Sequence, residues 1–215
     1  MSDAHVEVAD IVRRHGLAFL ESHGAVLSSE QQRVLKALAN CRTAALGGHV
    51  EACDRCGHRQ MAYNSCRNRH CPKCQAAARA DWLSERSAEL LPVPYFHVVF
   101  TLPESVAALA LQNPRVLYGL LFRATIDTLR EVAANPDRLG AQIGGLAVLH
   151  TWGQNLSHHP HVHCVIPGGG FSADGKRWVA CRDNFFLPVR VLSRVFRGKF
   201  IAGLRRARGN GQLKF

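Results

Sequence analysis

The chain has 215 residues, of which 47% are hydrophobic, enough for one large domain or two small ones with a buried core. No stretch approaches the roughly 18 uninterrupted apolar residues of a membrane helix, and the first residues, MSDAHVEVAD, lack the basic-then-apolar order of a signal peptide. The sequence therefore predicts a cytoplasmic protein. Lys and Arg outnumber Asp and Glu by 27 to 16, a net charge of +11, and residues 181–215 hold nine basic residues against one acidic. So uneven a field favours a polyanionic partner, nucleic acid ahead of an acidic membrane surface.

Three helices are predicted in the N-terminal part of the chain. Apolar residues at helical spacing predict the first within residues 5–22. Ser28 and Ser29 precede EQQRVLKAL in the manner of a capping box and predict the second. The third, QAAARADWLSERSAELL, ends before Pro92 and Pro94, which indicate a domain boundary. From Cys41 to Cys74 no amphipathic period appears, so something other than a hydrophobic core must hold that stretch.

This stretch contains two Cys-x2-Cys pairs, Cys53 with Cys56 and Cys71 with Cys74. Cytosolic thiols stay reduced, and each pair can offer two thiolates to one tetrahedral Zn²⁺, so the four residues predict a structural zinc site. Four further potential ligands leave a second zinc open: Cys41, His49, Cys66 and His70. The predicted first domain is residues 1–92, with a zinc module at 41–78.

A zinc module with many basic residues binds nucleic acid more often than it catalyses a reaction. Four thiolates fill the coordination sphere of the zinc and leave no position for a substrate. The basic residues nearest the second cysteine pair are therefore predicted to contact DNA: Arg67, Arg69 and Lys73.

Residues 93–215 read as a mixture of strands and helices. YFHVVFTL predicts a buried strand, followed by a helix from Glu104 and a longer helix through PRVLYGLLFRATIDTLREVAANP. IGGLAVLHTW and HVHCVIP predict antiparallel neighbouring strands, and GGGFSADGKRWVA predicts a turn into another strand. The segment PVRVLSRVFRGKFIAGLRRARG predicts a basic helix. Its predicted DNA contacts are Arg190, Arg194, Arg197, Lys199, Arg205, Arg206 and Arg208. The fold class is therefore α+β.

The segment HHPHVHC, residues 158–164, concentrates histidines on a predicted strand. Side chains two apart share a face of a strand, so His161 and His163 point the same way, with His159 beside them. Such a pair can chelate the divalent ion of a single-strand nuclease. The alternatives are a nucleotide hydrolase of the histidine-triad type and a polar loop without chemistry. Pro160 interrupts the triad pattern, and the charge and the cysteines favour a polynucleotide substrate.

Four blocks of the sequence carry a resemblance to a known family: SCRNRHCPKCQ, PVPYFHVVFTLP, LHTWGQNLSHHPHVHCVIPGGG and RWVACRDNFFLPVRVLSRVFRGKF. The chain resembles the rolling-circle insertion-sequence transposases of the ninety-one family, which carry an N-terminal transposase zinc-binding domain. The resemblance implies a bacterial, nucleoid-associated protein that acts on DNA as single strands or hairpin element ends, with no membrane partner.

The resemblance also implies an HUH (His-hydrophobe-His) endonuclease, with an antiparallel sheet and flanking helices in residues 93–215. In that chemistry a tyrosine attacks one DNA strand and forms a 5′-phosphotyrosine, and histidine-held Mg²⁺ or Mn²⁺ polarises the phosphate. His161 and His163 match the HUH pair. We expect Gln154 as the third ligand, with His159 as the second candidate.

One departure from the family concerns the nucleophile. Family members carry a catalytic tyrosine pair on a helix beyond the basic segment, whereas this chain has only Tyr63, Tyr95 and Tyr118, none at that position. We therefore expect no catalytic nucleophile here, and interpret the chain as the N-terminal part of a transposase that binds zinc and DNA without cutting. The alternatives are a histidine-triad hydrolase and a non-catalytic, zinc-dependent DNA-binding module.

Overall fold

A computed structural model describes residues 6–155 and 157–215. The chain divides into two units, the first ending at Leu90 and the second running from Leu91 to Phe215. Among the described residues, no helix combines the length and the apolar character that crossing a lipid bilayer requires.

Within residues 6–90, the first unit contains three helices and one hairpin. In chain order these are α1 (Val8–His23), α2 (Ser29–Asn40), β1 (Gly48–Ala52), β2 (Arg59–Tyr63) and α3 (Pro72–Ala88), with single 3-10 turns at Gly24–Val26 and Ala44–Leu46. The capping box predicted at the start of α2 is confirmed. The Gln31 backbone N–H donates to Ser28 Oγ at 3.2 Å, and the Ser28 N–H donates to Gln31 Oε1 at 2.8 Å. The three predicted helices are thus present, and the hairpin lies in the stretch without helical period.

Among the described residues of the first unit, the hydrophobic core is very small. Its buried residues are Leu38, Cys41 and Cys71, against which Val12 and Val34 and the thiols of two further cysteines pack. All five residues of β1 are exposed to solvent. Apolar burial alone is therefore a weak source of stability for this unit.

The second unit is an antiparallel sheet with helices on one face. Its elements are β3 (Tyr95–Thr101), α4 (Glu104–Gln112), α5 (Pro114–Ala134), β4 (Leu146–Trp152), β5 (His158–Pro167), β6 (Gly169–Phe171), β7 (Trp178–Ala180) and α6 (Val189–Gly209). The main sheet has the order β3-β5-β4, with both pairings antiparallel, and β6 and β7 form a separate two-stranded ribbon. The predicted pairing of β4 with β5 and the predicted α+β class are confirmed.

The central strand β5 divides the sheet into a buried and an open face. Pro160, Val162, Cys164 and Ile166 are buried, whereas the residues that alternate with them are half-buried or exposed. On the buried side, β5 belongs to one core cluster with residues of α5 and α6: Leu117, Leu121, Phe196 and Phe200. The open face therefore carries the side chains of His159, His161 and His163.

Helix α6 packs closely on α5. Its buried residues are spaced along one side of the helix: Leu192, Phe196, Phe200, Gly203 and Ala207. At Gly203 a Cβ atom would collide with the side chain of Leu120 on α5. The glycine thus permits a close approach of the two helices. The residues on the opposite side of α6 are exposed to solvent.

Candidate metal centres and nucleic-acid interface

Four cysteines of the first unit bring their sulfur atoms together. The Sγ atoms of Cys41, Cys66, Cys71 and Cys74 all lie within 4.8 Å of one another. Three of the separations are 3.6 Å: Cys41 to Cys74, Cys66 to Cys74, and Cys71 to Cys41. A tetrahedron with Zn–S bonds of about 2.3 Å has edges of about 3.8 Å. The donor type, the number of donors and their spacing therefore fit a Zn²⁺ ion.

Helix ends place these sulfur atoms. Cys41 is the C-cap of α2, and Cys71 is the N-cap of α3, whose first turn contains Pro72 and Cys74. Cys66 comes from the loop between β2 and α3. The N-terminus of α3 carries a partial positive charge, which stabilises thiolates at this position.

The cysteine pKa values indicate how the group is charged. Burial acts to raise the pKa of the Cys74 thiol, but hydrogen bonds from the Cys41, Cys71 and Cys66 thiols outweigh it and bring the value to about 7. Burial raises the pKa of Cys66 to about 12. One thiolate thus forms readily at neutral pH, and a bound cation would displace the remaining protons.

The structure does not bring the two Cys-x2-Cys pairs together. Cys53 and Cys56 are exposed and lie in the turn between β1 and β2. In that turn the Gly57 N–H donates to the Cys53 carbonyl at 2.8 Å, with Gly57 at φ 70°. The expected set of four cysteines is therefore divided. Cys71 and Cys74 meet Cys41 and Cys66, two residues that the sequence interpretation assigned to an optional second zinc.

The two histidines considered for a second zinc are exposed. His49 Nε2 lies 3.4 Å from Glu51 Oε1 on the same strand. His70 Nε2 accepts a hydrogen bond from Arg69 Nε at 3.4 Å. Neither histidine belongs to the four-sulfur group.

Three histidines form a second cluster, on the open face of the main sheet. One ring nitrogen from each of His150, His161 and His163 lies within 4.8 Å of the other two. His150 comes from β4 and stands directly opposite His161 on β5. The ring centres are 4.3 Å apart for His150 and His163, and 4.8 Å apart for His161 and His163.

The hydrogen bonds of the cluster leave one nitrogen free on each of two rings. His161 Nδ1 lies 2.6 Å from the His159 carbonyl oxygen, so this nitrogen carries the proton and Nε2 has the lone pair. His163 Nδ1 lies 2.7 Å from His97 Nε2. The other nitrogen of that ring, His163 Nε2, is buried and has no hydrogen-bond partner. A buried, unpartnered nitrogen beside two further imidazoles fits a divalent cation.

The pKa of His163 is lowered from its ordinary value. Burial is the largest cause, followed by repulsion from the neighbouring rings of His150, His161 and His97. The neutral form that a metal ion requires is therefore the favoured form of this ring.

Neither of the two candidates for the third ligand, Gln154 and His159, belongs to the three-histidine cluster, in which His150 takes that place. Gln154 is exposed in the turn that follows β4. His159 is half-buried, and its ring centre is 5.3 Å from that of His161. The sequence interpretation missed His150, whose signal was its position in the strand predicted to pair with the HVHC strand.

The tyrosine hydroxyls of the second unit are engaged in hydrogen bonds. Tyr118 Oη lies 2.9 Å from His158 Nε2, and burial raises the Tyr118 pKa. His158 does not belong to the cluster of His150, His161 and His163. Tyr95 Oη accepts the Leu91 N–H at 2.9 Å.

The predicted DNA contacts are mostly free basic side chains. On α6 the exposed arginines are Arg190, Arg194, Arg197, Arg205, Arg206 and Arg208. Lys199 differs, since its Nζ is 2.6 Å from Glu131 Oε2 on α5. In the first unit Arg67 and Arg69 are exposed, whereas Lys73 Nζ is 2.6 Å from Glu7 Oε1.

Two family models match the chain. One is described as "Transposase zinc-binding domain" and covers residues 11–102; the other is described as "Putative transposase" and covers residues 144–214.

The chain is 63% identical, over all 215 residues and 54% of the relative, to the "Putative transposase y4qJ" of Sinorhizobium fredii (strain NBRC 101917 / NGR234). It is 36% identical over 160 residues to the transposase for insertion sequence element IS801 of Pseudomonas savastanoi pv. phaseolicola, covering 74% of this chain and 38% of that protein. The chain thus spans about half or less of the length of these curated relatives.

Among solved structures, the metal-bound conjugative relaxase TrwC in complex with oriT DNA matches 51% of this chain and 42% of that chain, with 20% identity and a TM-score of 0.43. A TrwC complex with a 27-mer DNA that comprises the recognition hairpin and the cleavage site matches with 21% identity and the same TM-score, covering 51% and 44% of the two chains.

Proposed function

Because the chain belongs to the IS91 family of insertion-sequence transposases, we propose that it binds DNA in transposition through both units. The first unit serves as a zinc-stabilised DNA-binding module. The second binds single-stranded or hairpin DNA and holds the divalent ion that strand nicking requires. The observation that carries this proposal is that one basic chain contains both a four-sulfur group and a three-imidazole group.

The zinc of the first unit would be held by Cys41, Cys66, Cys71 and Cys74. Four thiolates leave no open coordination position, so this ion would be structural. Its role is to hold the end of α2 against the start of α3, where apolar packing is weak.

The divalent ion of the second unit would be held by His150, His161 and His163. When bound, such an ion polarises a phosphate oxygen and so favours attack at phosphorus. Three imidazoles suit Mn²⁺ better than Mg²⁺, which prefers oxygen ligands. His161 already has the tautomer that binding requires, because its Nδ1 donates to the His159 carbonyl oxygen. In His163 the contact of Nδ1 with His97 leaves Nε2 for the ion.

The DNA strand would be held by the exposed side of α6. Its arginines can pair with several phosphates and release condensed counterions, so affinity should fall steeply as salt rises. Lys199 would contribute less, since its charge is balanced by Glu131.

Nicking needs an in-line nucleophile as well as a polarised phosphate. The Tyr118 hydroxyl is hydrogen-bonded to His158, which lies outside the cluster of His150, His161 and His163. We therefore expect this chain to bind a DNA strand without forming a covalent adduct, and propose that a tyrosine at the family's position is needed for cleavage.

The test mixes the purified chain with a single-stranded oligonucleotide and Mn²⁺, measures binding across a salt series, and then resolves the products on a denaturing gel. Salt-sensitive binding with no covalent adduct is the expected result. An adduct that peptide mapping places on Tyr63, Tyr95 or Tyr118 would contradict the absence of a nucleophile. Metal-independent hydrolysis of dinucleotides, lost in His161→Ala, would instead support a histidine-triad hydrolase.

A further inference from the structure

A fourth histidine contacts the imidazole cluster from the strand on the other side of β5. His97 lies on β3, which pairs with β5, and stands opposite Val165. Its Nε2 is 2.7 Å from Nδ1 of His163. His163 is thus flanked by His150 from β4 and by His97 from β3.

The two rings meet edge to edge. They are within 9° of parallel, with centres 4.9 Å apart. In a face-to-face stack with that separation, no pair of nitrogens could approach to 2.7 Å. The contact is therefore an in-plane N–H···N hydrogen bond, in which one nitrogen donates and the other accepts.

The buried Nε2 of His163 determines which nitrogen of that ring carries the proton. If His163 Nε2 is to bind a cation, the ring must carry its proton on Nδ1. That N–H then donates to His97 Nε2, whose lone pair is consumed by the bond. His97 lies outside the group of mutually close ligand atoms, which comprises His150, His161 and His163.

We propose that His97 is a positioning residue for the metal ligand His163, an inference that rests on the proposed metal site. His97 accepts the Nδ1–H of His163, selects one tautomer and aims Nε2 at the ion. The main-chain carbonyl of His159 does the same for His161. Such outer partners typically change metal affinity by about 10- to 100-fold when they are removed.

The neutral character of His97 has a testable consequence. Metal-bound histidines often donate to a carboxylate, which raises the basicity of the ring. His97 is neutral when it accepts through Nε2 with its own proton on Nδ1. A Glu side chain at this position can bring an oxygen to about the place of the imidazole Nε2, and should therefore bind the cation more tightly. Gln should preserve the hydrogen bond without adding charge.

The experiment compares wild type with His97→Ala, His97→Gln and His97→Glu, and uses Thr101→Ala as the control. Thr101 is exposed on the same strand, two positions beyond Val99. Calorimetry measures Mn²⁺ affinity, and long-range ¹H–¹⁵N spectra of the metal-free chain identify the His163 tautomer. Circular dichroism verifies that each variant is folded.

We expect His163 to be protonated on Nδ1 in wild type, in His97→Gln and in the control, and to become a mixture of tautomers in His97→Ala. Mn²⁺ affinity should fall by about 10- to 100-fold in His97→Ala, recover in His97→Gln and exceed wild type in His97→Glu. Equal affinity and an unchanged tautomer in His97→Ala would overturn the role of His97. Loss of all binding in every His97 variant would make His97 a ligand, which also overturns it. A wild-type chain that binds no Mn²⁺ refutes the metal site itself. The tautomer of His163 is measured without metal, so it tests the role of His97 separately from the metal site.

Discussion

Replacing Cys41 by Ser should remove the zinc of the first unit, whereas replacing Cys53 by Ser should leave one zinc in place. Both substitutions change one sulfur to oxygen, and both residues neighbour a turn or loop. They differ in position, since Cys41 is buried within the four-sulfur group and Cys53 is exposed in the hairpin turn. The pair therefore separates the grouping in the structure from the grouping expected from Cys-x2-Cys spacing.

The expected loss of stability follows from the core of the unit. Leu38 is its buried large apolar side chain, and fully burying one such side chain contributes about 1.5 to 3 kcal/mol. Val12 and Val34 are only partly buried and contribute less. A structural zinc contributes an apparent 10 to 16 kcal/mol, roughly, at neutral pH. Without the ion, the first unit should unfold while the larger core of the second unit remains.

The assay has two parts. Elemental analysis counts zinc per chain, and limited proteolysis maps which residues become accessible. In Cys41→Ser we expect zinc well below one ion per chain and cleavage throughout residues 6–90, with residues 91–215 protected. Cys53→Ser should match wild type in both measurements.

The reverse outcome would refute this reasoning. If Cys53→Ser releases zinc and Cys41→Ser retains it, the ligands are those expected from spacing: Cys53, Cys56, Cys71 and Cys74. Two zinc ions in wild type and one in Cys53→Ser would instead reveal a second site at the hairpin turn.

Three further results are expected. The lowered pKa of His163 means that the unfolded chain takes up its proton first as pH falls through about 6.5, so calorimetry should show the unfolding free energy of the second unit decreasing below that pH. Mn²⁺ affinity should decrease only at the lower pH at which the folded His163 ring is protonated; an unfolding free energy that does not change with pH would contradict a neutral ring. Gly203→Ala should lower the unfolding free energy by about 1 to 3 kcal/mol in thermal unfolding, because its methyl group would collide with a leucine of α5. Gly198→Ala has open space at its Cβ and should raise the unfolding free energy by about 0.5 to 1 kcal/mol. Similar effects at both sites would refute the close packing of α6 on α5. Arg194→Gln should weaken single-stranded DNA binding and lower its salt dependence more than Lys199→Gln does, and the opposite order by fluorescence anisotropy would place the DNA elsewhere.

Local features of the fold were predictable because they depend on neighbours in sequence. The cap at Ser28 and the alternation that separates His161 and His163 from Val162 are both properties of a few consecutive residues. The pairing of β4 with β5 was also predictable, since a short polar loop between two strands favours antiparallel neighbours.

Groupings between distant residues were not predictable from spacing. Two Cys-x2-Cys pairs look equivalent in sequence, but the β1–β2 hairpin carries Cys53 and Cys56 to its exposed turn. Likewise, His150 reaches His161 only through the register of two strands, and a shift of one residue would have turned it to the other face. His97 required the register of a third strand.

The strand order β3-β5-β4 has a practical consequence for handling the isolated chain. Within the described sheet, β4 pairs with β5 alone, so its other side offers unpaired backbone groups. The strand contains no Lys, Glu or Pro, and Leu146, Val148 and Trp152 on it are exposed. Such an edge is a template for strand addition by another molecule. Concentrated solutions of this chain should therefore self-associate along β4, and a lysine introduced at Val148 should keep it dispersed.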